Sequence, residues 1–491
     1  MGIVINQSIK NTIITYIGFA FGAVNALYMY PEFLGKTFYG LTAFLLSTAN
    51  IIMPLMAFGV HNTLVKFYSR YETDTQKSQF VSFVLLLPLL TIIPLTLLVL
   101  FFYKQIAQLL SIENPIIYDY VWLVPVIGLC MGYFEIFYAW VKVNMKSVLG
   151  NFIKEVFLRV LISIFLFAVY FNYISVEQFV YITVGIYLAT TLMMLYFAIR
   201  VKRLSLTFTF PNNRSQIVVY SIFIVLSGSV SVLLLDIDKF MLGQYISIEN
   251  IAFYSVAIFI ATVISVPSRA MHQITYPITA KLMTENKYEQ LNVLYKKTSI
   301  TLQVVGGYVL LGILINIKSV YSLLPIEYSD GIAVVFLIGF SKYLDLILGN
   351  NNAIIFNSKY YKMVLILGLL LAFFAVTLNM LLIPKYGING AAIATLTAIT
   401  LYSLAKLLFV VLQMKLYPFT LETLKSFGIL LVSFGLFYFW DFELLPIFNI
   451  IFKSMLLTVF FGFLNYYLKI SPEINQVIDQ IFKFILFRKI K

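Results

Sequence analysis

The chain has 491 residues, 61% of them hydrophobic and 11% charged, with a formal net charge of +13. A soluble domain carries about 25% charged residues, so a soluble core is excluded and lipid is the solvent. One cysteine, Cys130, and two histidines, His61 and His272, exclude intrachain disulfides, thiolate clusters and a histidine-rich metal site, and no cofactor is expected.

The opening MGIVINQSIKN has no basic leader and no small-residue cleavage site, so the first apolar run is expected to be an uncleaved anchor. About 20 apolar residues cross a bilayer core. Such runs are read near 10–30, 39–60, 80–102, 120–141, 152–172, 178–199 and 217–235 in the first part of the chain. They continue near 251–272, 298–317, 331–350, 361–383, 388–410, 425–440 and 446–468, about fourteen in all. Pro54, Pro88, Pro94 and Pro125 are predicted to kink their helices.

Alternate loops differ sharply in charge. One set holds Lys66, Arg70 and Lys77, then Lys142, Lys146 and Lys154, then Arg200, Lys202, Arg203 and Arg214, and later Lys281, Lys287, Lys359, Lys362 and Lys415 among others. The other set has about one lysine per loop: Lys36, Lys104, Lys239, Lys318 and Lys385. The asymmetry predicts both termini in the cytoplasm, and it accounts for the net charge without nucleic acid as a partner. The largest loops, about 15–20 residues, leave no room for a catalytic domain. Gly35-Lys36-Thr37 resembles the end of a phosphate-binding loop, but Tyr30 stands where that motif needs glycine.

An internal repeat organises the chain. Phe33-Leu34-Gly35-Lys36 resembles Met241-Leu242-Gly243-Gln244, Pro54 falls opposite Pro267, and Ile127-Gly128 falls opposite Ile338-Gly339. The predicted fold is therefore an all-α polytopic membrane protein with two six-helix lobes, related by a pseudo-twofold axis along the membrane normal. Lobe one covers 1–205 and lobe two 206–415. Two further spans occupy 416–470, and an amphipathic cytoplasmic tail occupies 471–491.

The stretches SIKNTIITYIGFAFGAVNALYMYPEFLGKTFYG, DIDKFMLGQYISIENIAFYSVA and LNMLLIPKYGINGAAIATLTAITLYSLAKLL resemble the Wzx-type polysaccharide and O-antigen flippases. These belong to the multidrug/oligosaccharidyl-lipid/polysaccharide exporter superfamily. The resemblance implies an inverted-V cavity that opens alternately to either side. It also implies a lipid-linked glycan as cargo, carried from the cytoplasmic to the periplasmic leaflet of a bacterial inner membrane. Membrane lipids and polysaccharide assembly proteins are the partners expected with it.

A glycan pyrophosphate cannot cross hydrocarbon unaided, so charges within spans are the candidates for its path. Arg269 lies two residues after Pro267; it is read as a ligand for the pyrophosphate or as a cation snorkelling to headgroups. Lys342 and Asp345 share one helical face and are expected to pair, lining the cavity or neutralising each other inside the lobe. Glu135 matches Asp345 across the repeat; it is expected to meet sugar hydroxyls, carry a coupling proton, or pair with a neighbouring cation. Arg159 is placed about one turn inside span five and counted as a cavity cation, with Lys154 and Glu155 at the interface. Asp236, Asp238 and Lys239 are expected in an external turn rather than in contact with substrate, and Asn350, Asn351, Asn352 and Asn357 at a polar helix end rather than in sugar recognition.

A cation-coupled multidrug exporter of the same fold is the alternative. The resemblance implies an acid in the first span of such exporters, and 10–30 has only Asn25. An enzyme is not expected, because no long loop and no His, Asp and Glu cluster suits acid–base work.

Overall fold

The computed structural model describes residues 2–202, 207, 209–476 and 478–480, with side-chain detail at all of these except 2–6, 8, 9, 227–235, 270 and 273. Among the described residues there are helices and no strands. The solvent explains this: in hydrocarbon each backbone N–H and C=O must be satisfied within the chain, and a helix does so locally.

Nine described stretches are long and apolar enough to cross a membrane, or ten if Ile326–Leu346 and Asn351–Asn357, bent by 51°, form one span. The chain is a multi-pass membrane protein. That count does not reach the expected fourteen. Two of the stretches, Lys10–Met56 and Lys362–Met414, hold 47 and 53 residues. At 1.5 Å per residue they are roughly 70 and 80 Å long, enough for two crossings each. The second turns at Gly387, whose φ of 56° glycine adopts without a Cβ clash.

By contacts the chain divides into two compact units. The first comprises Met1–Ser255 and Ala375–Ala391. Its helices are α1 (Gly2–Val24), α2 (Gly35–Met56), α3 (Val60–Phe67), α4 (Asp74–Leu86), α5 (Leu89–Leu110), α6 (Leu123–Val143), α7 (Ser147–Phe152), α8 (Leu158–Tyr170), α9 (Val176–Val201) and α10 (Arg214–Tyr245). The start of α11 (Glu249–Thr262) completes it. π-Helical turns join α1 to α2 at Asn25–Leu34 and α7 to α8 at Ile153–Phe157.

The boundary differs from the one at 205 expected from the repeat, because α10 packs on α2 and α3. Thr63 and Ser221 hydroxyls meet there at 2.8 Å. Asn114 donates to the carbonyls of Gly243 and Ile246 and accepts from the amide of Ile248 at 2.7 Å, fixing the turn after α10. In lipid such bonds and close packing hold helices together, since apolar contact alone gains little over lipid tails.

The prolines act unequally. Pro88 separates α4 from α5, and Pro94 lies inside α5, whose backbone departs from helix at Phe102 instead. Pro54 sits in the last turn of α2. Pro125 falls in the first turn of α6, where no hydrogen bond needs its missing N–H and no kink is required.

The second unit comprises Val256–Phe374 and Ala392–Lys491. It holds the end of α11, then α12 (Val266–Thr284), α13 (Tyr288–Tyr321), α14 (Ile332–Leu346), α15 (Asn351–Asn357), the outer parts of α16 (Lys362–Met414), α17 (Leu421–Tyr438) and α18 (Pro446–Tyr467). A polar seam fastens α18 to α13. Asn449 bonds Ser319 at 2.9 Å, Asn316 bonds Ser454 at 3.0 Å, and Tyr308 bonds Thr458 at 2.7 Å. Within it Lys453 is buried and donates to the Ile315 carbonyl at 2.8 Å. The expected tail is helical at 472–476 and 478–480, and its remainder, with Ile481, Phe482, Lys483, Ile485 and Arg488, lies outside the described residues.

Candidate functional site

Each unit holds charges that an apolar chain has reason to avoid. In the first unit a cavity of about 330 Å³ is lined by Asn50 of α2, Glu135 of α6, Lys154 and Glu155 of the π-turn, Arg159 of α8 and Tyr187 of α9. Lys154 Nζ pairs with Glu135 Oε1. Arg159 Nη1 donates to both the carboxylate and the backbone carbonyl of Glu155, each at 2.6 Å.

Local structure explains this grouping. Glu155 and Arg159 are four residues apart and so share a face, and the π-turn resets the phase that brings Lys154 to Glu135. Asn25 of the other π-turn donates to the Arg159 carbonyl at 2.9 Å and accepts from Ser163 at 2.7 Å, clamping α8 to that turn. Gly18 allows the approach: a Cβ there would stand 2.5 Å from the Glu155 carbonyl oxygen and 2.8 Å from Arg159 Nη1.

Sequence reasoning singled out Glu135 and Arg159, and both line the cavity. Of the three readings left open for Glu135, the geometry has the pair with a neighbouring cation. Lys154 and Glu155, expected at the interface, line the same space. The four charges cancel. The recorded bonds of the Arg159 guanidinium run through Nη1, which leaves Nε and Nη2 to a ligand.

In the second unit a crevice of about 30 Å³, close to the volume of one water molecule, is lined by Ser265, Ser268, His272, Lys342, Asp345 and Lys406, among others. Lys342 and Asp345 both line this crevice. Asp345 forms an ion pair with Lys406 of α16, at 2.9 Å. Lys406 is 2% exposed and Asp345 46%. The lysine also meets Asn352 Oδ1 at 3.2 Å and lies over the Tyr402 ring at 4.3 Å. Sequence reasoning missed Lys406; the signal was a lysine inside an apolar run, LYSLAKLLFVV.

Arg269 is exposed on α12 and does not line the crevice, although its neighbour Ser268 does. Asn350 caps the start of α15 and Asn351 is its first residue, and both are buried. Asn350 donates to Thr279 Oγ1 at 2.7 Å, and Asn351 donates to Tyr295 OH at 2.6 Å. They sit where the span bends, and broken helices at membrane depth need such internal partners.

The expected external turn at Asp236–Lys239 is corrected: these residues are helical and belong to α10. Asp238, 1% exposed, accepts from Tyr254 OH at 2.5 Å and Asn379 Nδ2 at 2.8 Å. Asp236 pairs with Lys239 at 3.5 Å. Among the described residues no group of three or more His, Cys, Asp and Glu could hold a metal ion.

Comparison with known proteins places the chain. The family model described as "Polysaccharide biosynthesis protein" matches residues 5–283. The lipid II flippase MurJ in an inward closed conformation superposes with a TM-score of 0.75 at 16% identity, over 94% of this chain and 100% of that one. An outward-facing multidrug resistance MATE transporter gives 0.57 at 16% identity, over 83% and 95%. A MOP superfamily transporter from Pyrococcus furiosus gives 0.56 at 14% identity, over 84% and 95%. At these identities the likeness is one of fold. No curated protein matches.

Proposed function

Because the chain belongs to the polysaccharide biosynthesis protein family, we propose that it flips a lipid-linked glycan across the membrane. The cargo is an undecaprenyl-pyrophosphate-linked oligosaccharide, an O-antigen or capsule repeat unit. It passes from the cytoplasmic to the periplasmic leaflet of a bacterial inner membrane by alternating access. Both termini lie in the cytoplasm.

The observation that carries this reading is the paired charge of the first-unit cavity. A vacant cationic cavity in lipid would be costly, since an isolated buried charge is strongly disfavoured. Carboxylates offset that cost here. Glu155 occupies one donor of Arg159 and Glu135 the ammonium of Lys154. A pyrophosphate offers more oxygens than a carboxylate and matches the guanidinium fork, so it can displace Glu155 and engage the remaining donors. Release restores the internal pairs. Arg159 and Lys154 are thus the cargo-binding cations, and Glu135 and Glu155 the groups that hold them in its absence.

In the second unit Lys342 and Asp345 face the crevice with Lys406, and Arg269 offers an exposed cation on the neighbouring helix α12. The family and the fold are those of transporters, not of enzymes. The fold match to the lipid II flippase also covers more of the chain than the matches to multidrug transporters do, which favours lipid-linked cargo.

A strain lacking the gene should lose surface glycan and accumulate the lipid-linked precursor, and the wild-type chain should restore both. Arg269→Ala is expected to restore surface glycan at least about tenfold less well at equal membrane levels, as loss of a charged contact implies. Full complementation by that variant would remove Arg269 from the path.

A further inference from the structure

Four segments of the second unit end around one polar pocket of about 430 Å³. They are the last turn of α12, the first turn of α13, the 357–360 turn after α15 and the last turn of α16. The polar lining includes Thr284, Tyr288, Asn357, Lys359, Tyr360 and Gln413. Beneath it Leu291, Ile354, Val410 and Leu416 form an apolar base, with Met283 and Met414 packed against them.

The lining is part fixed and part unspent. The Tyr360 ring is held edge-on to Phe409 at 5.4 Å, with Lys359 Nζ 5.1 Å from its centre. Asn357 Nδ2 is used by the Ala353 carbonyl, which leaves Oδ1 as an acceptor. Gln413 and Tyr288 present exposed side chains to the pocket.

This mixture selects among ligands. A hydrocarbon tail would strand the amides. A phosphate would find a single cation, Lys359, in the lining. A sugar ring suits it: hydroxyls both donate and accept, as amides and tyrosine hydroxyls do, and the apolar C–H face of a sugar rests on an aromatic ring. The volume lies within the usual range of small-molecule sites. Lys281, Lys287, Lys359, Lys362 and Lys415 surround this end, the charge pattern of a cytoplasmic face. Cargo awaiting export presents its glycan on that side.

We infer that this pocket is a carbohydrate subsite that reads the glycan of the lipid-linked cargo at the cytoplasmic face. Tyr288, Asn357 and Gln413 set its specificity. The inference rests on the proposed cargo and adds to it a second point of contact, separate from the pyrophosphate.

The test measures binding of two probes to the purified full-length chain. One is the undecaprenyl-pyrophosphate-linked glycan extracted from glycan-producing cells, and the other is undecaprenyl pyrophosphate without sugar. Gln413→Ala and Tyr288→Ala should each weaken binding of the glycan-bearing lipid about tenfold, the effect of losing one or two hydrogen bonds. They should leave the bare lipid's affinity unchanged, which also shows that the variants are folded. Equal affinities of each variant and the wild type for the glycan-bearing lipid, or equal losses for both probes, would overturn the subsite while leaving the flippase reading intact. Failure of the wild-type chain to bind either probe would instead overturn the flippase reading, and the subsite with it.

Discussion

Arg159→Ala is expected to reduce transfer of the lipid-linked glycan at least about a hundredfold, since two charged hydrogen bonds to a pyrophosphate are worth roughly 3–6 kcal/mol. The same change strands Glu155, whose partner is Arg159 at 2.6 Å, and some loss of stability follows from that alone. A double variant separates the effects. Glu155→Gln with Arg159→Gln leaves no net charge behind, so its thermal unfolding in detergent should lie near that of the wild type. Transfer should stay lost, because no cation faces the cargo. Arg159→Lys is expected to fall between, keeping the charge and losing the planar fork. If the double variant transports at the wild-type rate, the first-unit cavity is not the cargo path.

Asp345→Ala is expected to destabilise the protein by about 3 kcal/mol, the low end for breaking a buried ion pair, because the carboxylate is 46% exposed while its partner Lys406 is 2% exposed. The lysine keeps Asn352 and the Tyr402 ring but loses its recorded counter-charge. Adding Lys406→Met to Asp345→Ala should recover most of the loss, since an apolar side chain of similar length removes the stranded charge. Strictly additive single and double effects in thermal unfolding would mean that the two side chains are not coupled. Lys342→Ala with Asp345→Ala is the informative control. Here the structure expects a smaller coupling than for Lys406, the reverse of what the spacing within α14 suggests.

These cases mark what the sequence could and could not tell. Apolar runs, basic loops and intramembrane charges are local signals, so the membrane class was legible, and so was the presence of charges at Glu135, Arg159 and Asp345 inside apolar runs. Partnership across the fold was not. Asp345 and Lys406 stand 61 residues apart, and periodicity carries no information at that range; the nearer Lys342 looked like the partner because i to i+3 is the only geometry a sequence displays. Asp236–Lys239 failed differently. An acidic cluster interrupting an apolar run reads as a turn, but here α10 continues through it for 32 residues. The helix persists because Tyr254 and Asn379, distant in the chain, satisfy Asp238. The partners of Asn350 and Asn351 were hidden for the same reason: a helix end shows in the sequence, but the side chains that satisfy it do not.

The most direct measurement is transfer in vesicles that contain the purified chain and the lipid-linked glycan. A membrane-impermeant lectin or glycosidase reports how much glycan faces outward. With the wild-type chain, nearly the whole pool should become accessible. With Glu155→Gln and Arg159→Gln, or in vesicles without protein, only the outer-leaflet share should. If accessibility is the same with and without the chain while a cationic drug is carried across instead, the chain is a drug exporter and not a glycan flippase.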